Sequence, residues 1–305
     1  MRILITGASG LLGINLALEA AQNHDVFGVV NKNPLKTSAF KVVKADLLVP
    51  DTCQRLFDDI QPDWIIHCAA LANIDACETD PSRARKLNTE IPGELARIVA
   101  RGGARMLHVS TDAVFDGQKG DYDEQDTPNP LSIYAQTKLE GERAVSDANP
   151  DAIIARVNLY GWSTTGNRSL AEFFFNNLQA EQPIYGFNDV YFCPLYTTDL
   201  LKIFLKMLAY NLNGLYHVVS SECLTKYDFG VRIARIFGFN PDLISPASVL
   251  DSGLSAPRSP RLTLRSDKIT RQLGEKTPGI LSGLKKFHSH FLQGYPNQIR
   301  DFVTS

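Results

Sequence analysis

Tyr134 and Lys138 have the residue types and the spacing that suit proton transfer at a carbonyl group. Four residues apart on a helix, they share one face. A lysine ammonium beside a phenol favours the phenolate, so we expect Lys138 to lower the pKa of Tyr134 and to allow proton exchange near neutral pH. Thr111 follows an apolar run upstream, and its hydroxyl is suited to hold a carbonyl oxygen. We therefore predict Thr111, Tyr134 and Lys138 as a catalytic group.

The alternative for each residue is a structural one. Tyrosine and lysine occur at this spacing by chance on many helices, and a threonine after a strand is often a turn or helix cap. The placement of Thr111 at the end of a strand favours catalysis, since strand ends line the ligand crevice of open α/β sheets. His67 and His108 lie in predicted buried strands, where hydrogen-bonded core histidines are more common than catalytic ones.

The elements that would position these residues alternate along the first half of the chain. Runs buried on both faces predict strands, and the stretches between them have helical periodicity. The predicted strands are Ile3–Thr6, Val26–Val30, Trp64–Cys68, Met106–Ser110 and Ile153–Val157. The predicted helices are Leu12–Asn23, Thr52–Ile60, Pro81–Arg101 and Ser132–Ala148. This alternation predicts an α/β fold with a doubly wound parallel sheet of the Rossmann type.

A glycine-rich turn joins the first predicted strand to the first predicted helix, with Gly7, Gly10 and Gly13 in the segment ILITGASGLLG. Glycines there permit a sharp turn, close approach of backbone amides to a pyrophosphate, and tight packing of helix on strand. The helix N-terminus adds partial positive charge and free N–H groups. The alternative is a plain tight connection. The strand–turn–helix setting favours a dinucleotide site.

The residues after the second strand bear on which dinucleotide binds. An acidic residue there usually holds the adenosine ribose of NAD, but this chain has Asn31 and Lys32. Lys32 would attract a 2′-phosphate, so we predict NADPH, with NADH possible; the alternative is that Lys32 is a solvated loop charge. Asp46, in the segment Ala45-Asp46-Leu47, is predicted to accept a hydrogen bond from the adenine amino group.

After Tyr160 the regular alternation ends, and prolines and serines accumulate between Asn240 and Arg261. We expect a smaller C-terminal substrate-binding lobe that is discontinuous in sequence. The predicted dinucleotide-binding domain comprises residues 1–160 and about 190–220. The predicted lobe comprises residues about 161–189 and 221–305.

Composition excludes several classes of protein. The formal net charge is −2, so no broad basic field indicates nucleic acid or an anionic membrane. No apolar run approaches the roughly 20 residues that span a bilayer, and the first residues lack a signal-peptide pattern. The five cysteines show no C-x-x-C spacing, and we expect scattered thiols in a reducing compartment. We predict a cytoplasmic protein without a metal site.

In this order, the motifs resemble those of extended short-chain dehydrogenases/reductases. The closest resemblance is to dTDP-4-dehydrorhamnose reductases and the related methionine adenosyltransferase regulatory β subunit. It is carried by TGASGLLG, HCAALANIDACETDP, HVSTDAVFDG, PNPLSIYAQTKLEGE and RVNLYG, and more weakly by FCPLYTTDLL and APRSPRLTLRSDKI. The resemblance implies the catalytic roles given above for Thr111, Tyr134 and Lys138.

The predicted contacts form two sets. The resemblance implies cofactor contacts from Gly7, Ser9, Gly10, Leu11, Asp46, Leu47, Ala69, Ala70 and Leu71. The other predicted cofactor contacts are Gly13, Asn31, Lys32, Asn88, Tyr134 and Lys138. The predicted substrate contacts are Asn73, Asp112, Val114, Tyr191, Phe192 and Arg258. Asp112 has an equal alternative, which is to bond neighbouring backbone.

The resemblance implies NAD(P)H-dependent reduction of the keto group of a nucleotide-linked sugar, of the dTDP-4-keto-6-deoxy type. Ala113 stands where nucleotide-sugar dehydratases have a glutamate base, which disfavours elimination. Two alternatives stay open: an epimerase on the same scaffold, which retains NAD, and a non-catalytic regulatory subunit. By analogy with relatives, a homodimer through helices 81–101 and 132–148 is possible.

Overall fold

The computed structural model describes residues 1–251 and 259–303, and its strands and helices follow the predicted alternation. The strands are β1 Arg2–Thr6, β2 Asp25–Val30, β3 Lys41–Lys44, β4 Trp64–His67, β5 Arg105–Thr111, β6 Ile153–Val157, β7 Leu159–Tyr160, β8 Ile184–Phe187, β9 Tyr191–Phe192, β10 Leu195–Tyr196, β11 Gly214–Val218, β12 Leu224–Thr225, β13 Ile244–Ala247 and β14 Arg261–Leu262.

The helices lie between these strands and in the C-terminal third. The α-helices are α1 Leu11–Ala20, α2 Thr52–Ile60, α3 Ile74–Thr79, α4 Pro81–Arg85, α5 Ile91–Gly102, α6 Ile133–Ala148, α7 Leu170–Gln179, α8 Thr197–Ala209, α9 Lys226–Phe237, α10 Asp267–Leu273, α11 Ile280–Leu292 and α12 Tyr295–Arg300. A π-helix covers Lys86–Glu90, and 3₁₀ turns cover Asp112–Val114, Pro241–Leu243 and Val249–Asp251.

Among the described residues, seven strands form one parallel sheet in the order β11-β6-β5-β4-β1-β2-β3. The chain runs outward from β1 to β3, returns to β4 beside β1, and continues to the other edge. The switch point between β1 and β4 is where open α/β sheets bind ligands. The predicted Rossmann fold is confirmed.

Alternate residues of the central strands pack on opposite faces of the sheet. Ile3 and Ile5 belong to a core with α1 and α8, whereas Leu4 and Ile65 belong to a core with α2 and α5. Side chains alternate across a strand, so a strand covered on both faces needs the continuous apolar run seen in β1. The sheet is thereby buried, and only its strand ends are open to ligands.

A third core, rich in aromatic residues, forms the C-terminal part from β7, α7, α9 and α11. The ring of Trp162 stacks on Phe287 with centroids 3.9 Å apart. Buried Asn15 ties α1 to this part, because it donates to the Trp162 carbonyl at 2.8 Å and accepts from the Tyr295 hydroxyl at 2.9 Å. The residue boundaries that we predict between the two parts stay a prediction.

The predicted helix 81–101 is not continuous. It comprises α4, the π-helix and α5, and Pro92 lies in the first turn of α5. Proline has no N–H, so Pro92 cannot donate to the carbonyl of Asn88. That carbonyl faces α6, where a Cβ added to Gly141 would lie 2.1 Å from its oxygen. The proline in α5 and the close contact with α6 thus account for the π-helix between α4 and α5.

The expectation of five free thiols is wrong for one pair. Cys193 and Cys223 form a disulfide, whereas Cys53, Cys68 and Cys77 are free. Phe192 of β9 pairs with Leu224 of β12 in antiparallel register. Cys193, which follows Phe192, therefore lies opposite Cys223, which precedes Leu224. Sequence spacing does not reveal this pair, because the register forms between distant segments. No helix in the described part of the chain is long and apolar enough to cross a bilayer.

Candidate active site

The glycine turn between β1 and α1 has the geometry of a phosphate-binding turn. Gly7 has φ of 69°, and a Cβ there would lie 2.8 Å from the Ala69 nitrogen. A Cβ on Gly13 would lie 2.2 Å from the Gly7 carbonyl oxygen. Gly10 precedes α1, whose first turn contains no acidic residue. The turn therefore offers free N–H groups and partial positive charge to an anion such as a pyrophosphate.

A cavity of about 840 Å³, here called the glycine-turn cavity, opens at this switch point. Many of the predicted cofactor contacts line it: Gly7, Gly10, Leu11, Gly13, Ala70, Leu71, Tyr134 and Lys138. Ser9 and Ala69 are partly exposed neighbours of that lining. The structure thus brings the first turn, the end of β4 and the first turns of α6 to one cavity. A bare glycine turn at its wall fits a dinucleotide.

The residues predicted for the adenosine half lie at the ends of β2 and β3. Asn31 and Lys32 are exposed directly after β2. Asp46 lines a separate cavity of about 360 Å³ and accepts from the Leu48 amide at 3.0 Å. The Leu47 side chain packs in the core with Leu4, so any contact of Leu47 with a dinucleotide is through its backbone.

Asn88 does not reach the cavity, and the prediction of a direct cofactor contact is corrected. Its side chain is fully buried. Its amide oxygen accepts from the Leu71 N–H at 2.8 Å, and its nitrogen donates to the Leu71 carbonyl and to Thr137 at 3.1 Å. Asn88 therefore fixes the loop after β4 against α6 and acts through Leu71.

Thr111 and Tyr134 meet at the other wall of the glycine-turn cavity. Ser132 caps α6 by accepting from the Ala135 amide at 3.2 Å, which places Tyr134 in the first turn of the helix. The Tyr134 phenol is close enough to the Thr111 side chain for that side chain to lower its pKa. Thr111 belongs to β5, the strand next to β4, so the sheet order brings the two residues together.

The expected lowering of the Tyr134 pKa is wrong. Burial raises the pKa of Tyr134 to about 12; the Thr111 side chain lowers it, and the nearby Asp112 charge raises it further. Lys138 is not among the causes, since its ammonium is held elsewhere. A phenol with this pKa is protonated at neutral pH, which suits a proton donor.

Lys138 is almost fully buried and is held from strand β5. Its Nζ lies 2.7 Å from the Val109 carbonyl oxygen and 3.2 Å from His108 Nε2. Burial lowers the pKa of Lys138 to about 8, while the charges of Glu142 and Cys68 act to raise it. Lys138 is therefore mostly an ammonium at neutral pH and loses that charge in mildly alkaline solution.

A buried ion pair lies one helical turn beyond Lys138. Glu142 accepts from Arg156 Nε at 2.9 Å and from Nη2 at 2.7 Å, and it also accepts from the Ser110 hydroxyl. Both charged side chains are nearly inaccessible to solvent. The pair joins α6 to β5 and β6 directly below the catalytic residues.

A second cavity of about 630 Å³, here called the lobe cavity, lies beside the first. The predicted substrate residues Tyr191 and Phe192 line it, and Asp112 lines both cavities. Burial raises the pKa of Asp112, and its carboxylate accepts from Asn158 and from the Thr111 hydroxyl. Asp112 thus bonds its neighbours and is also open to ligands of either cavity.

Among the residues of the lobe cavity that the sequence does not predict, Asn158 and Lys226 are polar side chains placed to contact a ligand. Asn158 directly follows β6 and lines both cavities, so the strand-end rule applied to β6 would have identified it. Lys226 is the first residue of α9 and brings positive charge to the lobe cavity. Lys226 lies in the segment GLYHVVSSECLTKYDF, which carries the family resemblance only weakly and does not single out this lysine.

The remaining substrate predictions have different outcomes. Asn73 lines the glycine-turn cavity and caps α3 by accepting from the Ala76 amide at 2.8 Å. Val114 is fully buried in a core cluster with Phe115, so its side chain is unavailable to a substrate and that prediction is corrected. Arg258 lies outside the described residues.

Comparisons with known proteins agree with the fold. A probable low-salt glycan biosynthesis reductase of Haloferax volcanii is 31% identical over 95% of this chain and 98% of its own length. Methionine adenosyltransferase 2 subunit beta of Bos taurus is 33% identical over 94% of this chain and 88% of its own length. A structure of dTDP-4-dehydrorhamnose reductase from Bacillus anthracis, in complex with NADP, has a TM-score of 0.81 and 25% identity, and the match covers 95% of this chain and 99% of that one.

The family model described as the RmlD substrate binding domain matches residues 1–292, which is most of the chain. The chain therefore belongs to the RmlD substrate binding domain family.

Proposed function

We propose that this chain reduces the keto group of a nucleotide-linked sugar with NAD(P)H, as an oxidoreductase of the short-chain dehydrogenase/reductase type. The observation that carries the proposal is the meeting of Thr111, Tyr134 and Lys138 where two cavities share Asp112 and Asn158. One cavity has the glycine turn that fits a dinucleotide. The other has the room and polar lining for a second, polar ligand.

In this proposal, bound NAD(P)H supplies the hydride to the carbonyl carbon. Thr111, whose hydroxyl donates to Asp112 in this structure, would turn that proton to the carbonyl oxygen, and Tyr134 transfers its own proton to the same oxygen as negative charge develops. The Lys138 ammonium lines the same cavity one helical turn further on, where it would hold polar groups of the bound cofactor. A protonated phenol at neutral pH supports the reducing direction, because the acid must carry its proton before hydride arrives.

NADPH is the proposed cofactor. The exposed Lys32 follows β2 at the position where an acidic residue would repel a 2′-phosphate, and Asn31 beside it is uncharged. Support comes also from the Bacillus anthracis relative, which was solved with NADP.

The finer proposal is a dTDP-4-keto-6-deoxy sugar as substrate, in deoxysugar biosynthesis. Related structures named as dTDP-4-dehydrorhamnose reductases support it. The test incubates the protein and NADPH with each of a panel of nucleotide-linked 4-keto sugars and records the loss of NADPH absorbance. It tests both the reductase activity and the identity of the sugar. Oxidation with one sugar of the panel supports the proposal and identifies the sugar. Tight NADPH binding without oxidation of any sugar contradicts it.

Replacing Tyr134 by Phe is the matched test of the mechanism. We expect Y134F to lower kcat by about 10²–10⁴-fold, because the proton donor is lost, while the Kd for NADPH is unchanged. Y210F alters an exposed tyrosine far from both cavities and is the control. Turnover of Y134F equal to that of the unmodified protein would remove Tyr134 from the mechanism.

A second candidate is a non-catalytic regulatory subunit, which the 33% identity to methionine adenosyltransferase 2 subunit beta favours. Co-purification of a catalytic partner, with NADPH bound and no sugar reduced, would support this candidate. We further propose a cytoplasmic location and a homodimer, which fractionation of cells and light scattering of the purified protein test directly.

A further inference from the structure

Two buried histidines lie side by side under the catalytic lysine. His67 of β4 and His108 of β5 are register partners, and their rings stack with centroids 5.4 Å apart. His67 is fixed from the other side by Thr6, whose hydroxyl oxygen is 2.7 Å from His67 Nδ1. His108 is fully buried. Its ring is thus clamped in place by the sheet.

The contact between His108 and Lys138 defines the state of the imidazole. An ammonium group has three donors and no acceptor, so the 3.2 Å contact needs the lone pair of His108 Nε2. The proton of the neutral ring must then be on Nδ1, a buried atom without a hydrogen-bond partner among the described residues. Burial and the Lys138 charge both lower the pKa of His108 well below its ordinary value, so the ring stays neutral and accepts.

The lysine side chain needs such a fixed acceptor. Four methylene groups separate a lysine ammonium from the backbone, and fixing the bonds that join them costs conformational entropy. The Val109 carbonyl and His108 use two of the three Lys138 donors, and Lys138 also lines the glycine-turn cavity. The remaining donor is thereby available at the cavity wall.

We propose that His108 is a positioning residue for Lys138, which its neutral ring holds as an ammonium at the wall of the glycine-turn cavity. The kinetic consequence rests on the proposed function, whereas the effect on the lysine charge does not. Sequence reasoning had treated His108 as a core histidine. The structure shows that it is a core residue and also the hydrogen-bond acceptor of a catalytic side chain.

The groups that determine the Lys138 charge are few. Glu142 faces it from the next turn of α6, and Cys68 faces it from the end of β4. The His67 ring stacks on His108, and Tyr134 lies one turn earlier on α6, close to Thr111. Because the Glu142 carboxylate is bound to Arg156, it does not take over the role of a lost acceptor at Lys138.

The experiment measures the pKa of Lys138 in the full-length protein by NMR titration of its Nζ, assigned with a K138M variant. We expect a midpoint near 8 before mutation. In H108L the ammonium loses an acceptor, and the midpoint should fall by about one pH unit, the shift that corresponds to one hydrogen bond to a charged group. H108F keeps the ring stack without an acceptor and replaces H108L if that variant does not fold.

The H108Q variant distinguishes a role of His108 as a hydrogen-bond acceptor from a role in packing alone. H108Q offers an amide oxygen close to the position of Nε2 and should restore most of the shift in the midpoint. H290L, at a partly buried histidine that contacts the Tyr196 hydroxyl, should leave the Lys138 midpoint unchanged. If H108L or H108F titrates like the unmodified protein, or if H108Q behaves like H108L, the inference is overturned.

With a sugar substrate, the alkaline limit of kcat should move to lower pH in H108L by the same amount, with KM little changed. Lack of turnover by the unmodified protein would count against the proposed function only, since the NMR midpoints decide the role of His108 without substrate.

Discussion

The glycine-turn cavity and the lobe cavity share Asp112 and Asn158 but are built in different ways. The first is lined mainly from the glycine turn and the carboxyl ends of adjacent strands of one sheet, at 7, 10–13, 68, 70–73, 109–112 and 157–159, with additions at 134, 138 and 167–168. The second is lined by side chains from separate segments, at 74–79, 112–113, 131–132, 158, 190–192, 226, 259 and 262. The glycine turn of the first cavity leaves no room for an added Cβ at Gly7 or Gly13, whereas the side chains of the second cavity can be exchanged with less effect on the backbone. The same scaffold can therefore retain one cofactor while its second ligand varies.

The largest expected effect comes from a substitution in the glycine turn. In G7A the added Cβ lies 2.8 Å from the Ala69 nitrogen, so the turn must open, and we expect NADPH affinity to fall on the order of 100-fold or more. G103A is the matched control, because Gly103 has φ of 76° but a Cβ there meets nothing within 4 Å. Fluorescence titration with NADPH measures both. Equal Kd values for the two variants would contradict the role of the turn.

The next effect concerns the disulfide that holds the lobe side. Cys193 and Cys223 are 30 residues apart, and reduction should lower the free energy of unfolding by about 3–4 kcal/mol through the entropy of the freed loop. Both segments continue into the lobe cavity, through Phe192 and Lys226, so KM for the sugar should rise while the Kd for NADPH does not.

Urea denaturation with and without a thiol-free reductant measures this change. The C193A/C223A variant has no disulfide and should not respond to the reductant. A reduced protein that is as stable as the oxidised one would show that the bridge contributes nothing to this side of the molecule.

A smaller effect is expected from a single side chain of the lobe cavity. Tyr191 is 38% exposed and lines this cavity, so Y191A should raise KM for the sugar about 10-fold, the loss that corresponds to one partly buried aromatic contact. The Kd for NADPH and kcat should be little affected. Y185A removes a more exposed tyrosine that is outside the lining of both cavities. A KM that rises equally in both variants would remove Tyr191 from the substrate site.

Much of the glycine-turn side was predictable because its signals are local. Glycines spaced between a strand and a helix favour a phosphate-binding turn, and Tyr134 and Lys138 are one helical turn apart, so the helix alone aligns them. The pKa of Tyr134 was not predictable in this way. It depends on burial and on Asp112, and on a lysine ammonium that is turned towards Val109 and His108.

The lobe side was predicted only in part, since its residues are distant in sequence. Tyr191 and Phe192 were assigned from their place in a loop-rich region, but the same reasoning included Val114, which the core buries. Asn158 and Lys226 belong to the site only because β6 and α9 end beside it. The Cys193–Cys223 bridge depends on the register of β9 and β12.

The sequence by itself determined the sheet, the glycine turn and the shared helix face of Tyr134 and Lys138, because alternation, backbone freedom and helical spacing act over a few neighbouring residues. Tertiary structure decided which side chains share a cavity, which are buried, and which charges face one another. It made Asn88 a support for Leu71 and His108 an acceptor for Lys138. These properties depend on distances between segments and on exclusion of water, which form only when the whole chain has packed.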